Sequence, residues 1–137
     1  NLVVEPDGSI GTFFDEPRGL ASLAEAMRFC ETFEGRAGGL VRTMLAPDRI
    51  ETCTPELVRR GAAAARDMGG PLRQHCCQSL LEYELVLRLR GMSPPEWLES
   101  LGALGPRTLL PHGTFVSGSS RIARPGAAGR RDGTVPH

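Results

Sequence analysis

Apolar residues recur at helical spacing in several stretches of the chain, and these stretches carry helix-start signals. This spacing predicts four helices, within residues 18–35, 54–70, 79–91 and 93–102. Thr54 is placed as an N-cap and Pro55 occupies the first helical position. Ser93 and Glu96 stand three residues apart before an apolar run, the spacing of a capping box. These signals predict that two of the helices begin directly after Thr54 and Ser93.

Short apolar runs separate these helices and predict β-strands. The runs cover residues 38–45, 71–76 and 107–115. Helices alternating with strands favour an α/β fold, in which parallel strands are joined by right-handed helical crossovers. The mostly apolar strands are typical of a sheet covered by helices. Residues 119–137 are rich in Gly, Ser, Pro and Arg and predict an irregular tail, with a further strand expected only at 133–137.

Composition narrows the class of protein. The chain has 137 residues, 40% of them hydrophobic, with 16 basic against 16 acidic side chains. This is enough for one domain, expected over residues 1–118, and the charge balance argues against a nucleic-acid partner. No apolar run has the length of a membrane span, and the start does not resemble a signal peptide. We expect a cytoplasmic protein, and a chain that begins within a longer protein.

Two histidines hold equivalent positions in the predicted pattern. His75 and His112 each stand near the C-terminal end of a strand candidate. In parallel α/β proteins, functional sites form at this edge of the sheet. In one interpretation, the two imidazoles converge on one ligand, a metal or a substrate. Alternatively, each is an ordinary histidine in a packed or solvent-lined position, and the spacing alone leaves both interpretations open.

The cysteines are expected to be reduced. There are four of them, and two are adjacent, which does not favour a disulfide framework: Cys30, Cys53, Cys76 and Cys77. If the strand continued, successive side chains would point to opposite sides. The adjacent pair could then not share a metal with His75. We interpret both cysteines as small buried packing residues.

Polar residues follow His75 closely. Gln78 lies three positions after it, where an amide can hydrogen-bond a substrate but cannot exchange a proton. Glu82 and Glu84 follow on the predicted helix. We interpret these two carboxylates as solvated or helix-capping groups.

Three ordered motifs resemble one enzyme family. They are "CTPEL" at residues 53–57, "QHCCQS" at 74–79 and "LGALGPRTLLPHG" at 101–113. Together they resemble the amidohydrolase superfamily, in the branch that holds the cytosine, guanine and methylthioadenosine deaminases and the triazine hydrolases. The resemblance covers residues 39–118. It implies a central piece of a (β/α)8 TIM barrel, with residues 39–45, 71–76 and 107–112 as barrel strands 4, 5 and 6.

The resemblance also implies residue roles. The family uses a divalent metal, zinc or iron, to activate a water that attacks a carbon bearing an amino, amide or halide group. His75 matches the metal-ligand histidine of barrel strand 5. His112 matches the histidine that orients or deprotonates the attacking water, as a catalytic residue. Gln78 and His137 would contact the substrate, a small heterocyclic molecule, and the full-length parent could be a homo-oligomer.

The sequence departs from the family pattern in ways that limit the chemistry. The deaminases carry a proton-shuttling Glu where Gln78 stands. The H-x-H pair and the Asp that complete the family's metal site are not in this sequence. We therefore expect the chain alone to be inactive and marginally folded. The alternative to an enzyme fragment is an inactive remnant, or a non-enzymatic α/β interaction module.

Overall fold

A computed structural model describes residues 2–116 of the chain, so the tail at 119–137, with its expected strand at 133–137, lies outside the described residues. The helices are α1 (Glu16–Phe33), α2 (Pro55–Asp67), α3 (Leu80–Arg90) and α4 (Pro94–Ser100), with a short 3-10 turn at Ile50–Thr52. The strands are β1 (Leu2–Val4), β2 (Ile10–Thr12), β3 (Leu72–Arg73) and β4 (Thr108–Leu109).

All four predicted helices are present, and the starts of α2 and α4 follow the predicted capping chemistry. The Thr54 hydroxyl accepts a hydrogen bond from the Leu57 N–H at 3.2 Å. At the start of α4, the backbone N–H and hydroxyl of Ser93 both donate to the Glu96 carboxylate, at 2.9 and 2.6 Å. These local contacts satisfy donors that have no partner inside the helix, which fixes where each helix begins.

Three parallel segments lie side by side and form the centre of the fold. β3 pairs with β4 in parallel, Leu72 opposite Thr108. Two single parallel bridges, Leu45 to Leu72 and Arg49 to His75, add a third segment beside β3. A further bridge, Cys76 to His112, continues the pairing of the β3 and β4 segments toward their C-terminal ends. The segment order is therefore 45–49, 72–76, 108–112, as expected for consecutive strands of a parallel sheet.

The predicted strand at 38–45 is wrong for most of its length. Residues 34–40 form turns, and only Leu45 pairs with a neighbour. Ala37, Gly38 and Gly39 all have positive φ angles, which an extended strand does not allow. The strands predicted at 71–76 and 107–115 are present, but regular pairing shrinks to two residues each.

The antiparallel hairpin of β1 and β2 was not predicted. Leu2 lies opposite Thr12, and the Glu5 N–H donates to the Ser9 carbonyl at 2.8 Å to close the turn. The sequence signal was the Pro6-Asp7-Gly8 turn between two short apolar runs, which is typical of a hairpin.

The core lies between the helices and the parallel segments. Its largest fully buried side chains come from the parallel segments, the 3-10 turn, α2, α3 and α4: Leu45, Ile50, Val58, Gln74, Tyr83, Val86 and Leu98. Arg90 closes one side, because its guanidinium lies 4.7 Å from the Trp97 ring centroid and 5.4 Å from that of Phe14. It also donates to the Cys53 carbonyl at 3.1 Å, which joins α3 to the loop before α2.

Helices long and apolar enough to span a bilayer do not occur between residues 2 and 116.

Leu98→Ala tests the core. Leu98 is fully buried, so its truncation leaves a cavity and should lower the free energy of unfolding by about 2–5 kcal/mol. Leu81→Ala is the matched control, because Leu81 is 69% exposed and its loss should change stability by less than about 0.5 kcal/mol. Urea denaturation measures both, and equal effects would contradict the packing described.

Cys53 predicts a pH dependence of stability. Burial raises the pKa of its thiol from 9.0 to about 11. The unfolded chain therefore loses this proton first as the pH rises. The contribution of Cys53 to the free energy of unfolding is therefore fully present below about pH 9. It decreases by about 2–3 kcal/mol as the pH rises toward 11.

Urea denaturation across pH 8–11 measures this fall, and Cys53→Ala should flatten it. Part of the slope should persist, because the pKa of the Cys76 thiol is also raised. Slopes rather than absolute stabilities are compared, since the substitution also removes packing. An unchanged slope in Cys53→Ala would show that Cys53 does not contribute.

Candidate functional site

His75 and His112 meet at the C-terminal edge of the parallel segments. The His75 Nδ1 lies 2.9 Å from the His112 Nε2, and the ring centroids are 5.1 Å apart. Their backbones are adjacent because Cys76 pairs with His112 across the sheet. His75 is half-buried and His112 is exposed, so solvent reaches the pair. The expected convergence of the two imidazoles is present, and which ring donates the hydrogen depends on the tautomer.

Each of the three parallel segments has a non-glycine residue with positive φ at or next to its C-terminal end. These residues are Asp48 at 28°, Cys77 at 62° and His112 at 80°. Such conformations cost about 1–3 kcal/mol each and tend to cluster at functional sites. The same turns redirect the chain out of the sheet, and they thereby place His75 and His112 at its edge.

The condition under which the adjacent cysteines would point to opposite sides is not met, because extended pairing stops at Cys76. Cys77 has a positive φ, and the Cys76 and Cys77 sulfurs lie 3.5 Å apart. Each residue is only 1% exposed, so the interpretation as buried packing residues is confirmed. The hydrogen bond with Cys77 and burial hold the pKa of the Cys76 thiol well above its ordinary range. Cys76 is therefore a protonated packing group.

Gln78 lies beside a large cavity rather than against the histidine rings. The cavity has a volume of about 970 Å³ and lies between α1, residues 45–54 and the start of α3. Gln78 is exposed and lines it, together with Asp48, Glu51 and Glu82. Neither His75 nor His112 is among the described residues of its lining. Of Gln78, His75 and His112, only Gln78, which follows His75 by three positions, therefore lines the cavity.

Glu82 is a buried capping carboxylate. It is 4% exposed, and its two oxygens accept hydrogen bonds from the Cys77 N–H at 2.6 Å and the Gln78 N–H at 2.9 Å. Its own N–H donates to the Ser79 hydroxyl at 3.2 Å, at the start of α3. The capping alternative is thus confirmed for Glu82 and the solvated alternative is wrong. Glu84 is half-buried.

Glu51 is a carboxylate that sequence reasoning missed. Its side chain is 14% exposed, and within residues 2–116 its buried Oε2 has no hydrogen-bond partner. Its Oε1 lies 3.5 Å from an Arg49 guanidinium nitrogen. Burial is the main cause that raises the pKa of the Glu51 carboxyl, and the negative charge of Glu82 adds to it. The burial of Glu51 results from the packing of the 3-10 turn. No sequence motif indicates it.

The described residues do not form a complete metal site. Within residues 2–116, no group of three or more His, Cys, Asp or Glu side chains is placed to hold a metal ion. The paired ring nitrogens of His75 and His112 are chemically suited to zinc or iron, as two donors of a larger set. His137, expected in the substrate pocket, lies outside the described residues.

Comparison with known proteins gives a consistent answer. The model of the amidohydrolase family matches residues 11–135. The chain is 35% identical over 103 residues to 5-methylthioadenosine/S-adenosylhomocysteine deaminase 2 of Archaeoglobus fulgidus, which covers 75% of the chain and 25% of the relative. It is 34% identical over 108 residues to 8-oxoguanine deaminase of Pseudomonas aeruginosa, which covers 78% of the chain and 24% of the relative.

Solved structures agree on the fold. A mutant of atrazine chlorohydrolase from Arthrobacter aurescens, complexed with zinc and atraton, aligns with a TM-score of 0.61 at 26% identity, over 67% of the chain and 20% of that structure. The chain spans about a quarter of the length of the curated relatives it matches. The expected resemblance to deaminases and triazine hydrolases is confirmed, and the parallel segments with their helices are part of a (β/α)8 fold. The chain belongs to the amidohydrolase family.

Proposed function

We propose that the chain is part of a metal-dependent hydrolase that cleaves a C–N or C–halogen bond of a small heterocyclic substrate with water. The observation that carries this proposal is the contact between His75 and His112 at the strand ends. The relatives named as deaminases and the neighbour solved with zinc support it. The proposed reaction belongs to the whole protein, of which this chain is one section.

The two histidines have different proposed roles. His75 binds a divalent metal, zinc or iron, which when bound supplies a Lewis acid that polarises the substrate and acidifies water. His112 is the catalytic base, because its imidazole is exposed to solvent and imidazole is the side chain that most often accepts a proton in general base catalysis. Their 2.9 Å contact places the proposed base directly beside the proposed metal ligand.

Gln78 is proposed to bind substrate. Its side chain is exposed in the cavity wall, where an amide can both donate and accept hydrogen bonds. The amide cannot exchange a proton, so His112 keeps that role in the proposed mechanism. Barrel strands 4, 5 and 6 remain the proposed places of the three parallel segments in the complete barrel. His137 stays a prediction as a further substrate contact.

A second candidate function is a non-catalytic α/β unit. The observation that favours it is the incomplete donor set, since residues 2–116 bring together two histidines and no third ligand. In this case the histidine pair would be a hydrogen-bonded structural contact. The two candidates differ in whether the native-length protein binds metal through His75.

His75→Ala and His112→Ala separate the proposed roles. In the native-length protein, His75→Ala should remove most bound metal, and with it hydrolysis. His112→Ala should keep the metal but lower the rate by about 10²–10⁴-fold, because the base is lost. Elemental analysis measures metal per chain, and ammonia release from purine nucleosides or chloride release from chlorotriazines measures the rate. Equal metal content in wild type and His75→Ala would favour the non-catalytic unit.

Gln78→Glu tests the role of the amide. A carboxylate at this position can exchange protons, so deamination should rise by about tenfold or more if proton transfer limits the rate. Gln78→Asn is the matched control, because it keeps an amide and should give no gain. Ammonia release at a fixed metal content measures both variants. A gain of equal size in Gln78→Asn would show that the change is steric.

A further inference from the structure

Glu82 makes an unusual set of contacts for a buried carboxylate. It is 4% exposed, yet none of the ion pairs formed within residues 2–116 includes it. Its charge is instead balanced by two backbone N–H groups, those of Cys77 and Gln78, at the positive end of the α3 dipole. A buried charge is retained only where such bonds compensate its desolvation. Both oxygens of Glu82 are therefore used to stabilise the turn at Cys77 and Gln78.

The turn that Glu82 holds is strained and joins both strand ends. Cys77 has a φ of 62°, which a non-glycine residue adopts only when its surroundings enforce it. The Cys76 carbonyl accepts from the Gly113 N–H at 3.2 Å, and the Cys77 carbonyl accepts from the Thr114 N–H at 3.0 Å. These two donors directly follow His112. The turn thus binds the strand end that carries His75 to the strand end that carries His112.

We propose that Glu82 is a positioning residue that fixes the His75–His112 contact and the direction of Gln78 by clamping the peptide units of Cys77 and Gln78. The catalytic importance of the His75–His112 contact rests on the proposed function. The hydrogen bonds from Glu82 that hold the turn do not depend on that function. Each carboxylate oxygen accepts one N–H. Glutamine has the same shape but presents an NH₂ group to one of the two donors, so it cannot accept both bonds.

Glu82→Gln in the full 137-residue chain tests this proposal. Long-range ¹H–¹⁵N spectra of the histidine rings report tautomer and ring hydrogen bonding. The clamp predicts that the ring ¹⁵N signals of His75 and His112 shift in Glu82→Gln. A purely stabilising role would lower the urea midpoint and leave the ring signals of the folded state unchanged. The readout needs neither metal nor activity, so it remains valid if the proposed hydrolase function fails.

Glu84→Gln is the matched control. It makes the same change two residues along the same helix, whereas both turn amides bond to Glu82. Its ring signals should match those of the wild type. Unchanged ring signals in a folded Glu82→Gln variant, or equal shifts in both variants, would overturn the proposal.

Hydrogen exchange in the wild type covers the case in which Glu82→Gln does not fold. The Cys77 and Gln78 amides should exchange far more slowly than in an unstructured peptide, because a buried carboxylate accepts both. The 2.6 Å bond should also shift the Cys77 amide proton downfield. Exchange of these two amides at the unstructured rate would overturn the clamp.

Discussion

Parallel pairing of three very short chain segments is the constraint on which the rest of this structure depends. His75 and His112 are separated by 37 positions and meet because Cys76 pairs with His112, while Arg49 pairs with His75 on the opposite side. Main-chain hydrogen bonds join these segments, among them Leu72 N–H to the Arg107 carbonyl at 3.1 Å. Side chains reinforce them. The fully buried Gln74 amide donates to the Asp48 carbonyl at 2.5 Å and so ties the first segment to the second.

The helices were predictable because their signals are local. Thr54, Ser93 and the glycine after α3 act within a few residues, and the structure uses them as the pattern indicates. Strand extent is not local, because pairing depends on distant segments. The apolar run at 38–45 therefore looked like a strand, although residues 37–39 at its start have positive φ angles and only Leu45 is paired. The hairpin of β1 and β2 was missed because its two runs are only three residues long.

The candidate site was half predictable. The strand-end rule identified His75 and His112 before their contact was known. The rule gave no information on Cys77, whose backbone is left-handed and whose sulfur lies next to that of Cys76. A left-handed residue is usually signalled by glycine, and the sequence has no glycine at this position. It also could not show that Glu82 is buried and Glu51 nearly so. Both environments arise where the 45–54 loop packs against α3, and that packing is a property of the fold rather than of any motif.

The central proposal is that the edge that carries His75 and His112 is the metal-binding edge of a hydrolase barrel. Anomalous X-ray diffraction from crystals of the native-length protein grown with zinc tests it most directly. The account predicts an anomalous peak within bonding distance of a His75 ring nitrogen, with His112 beside it. Crystals that contain zinc but show no peak at this edge, with the two imidazoles still hydrogen-bonded to each other, would contradict it.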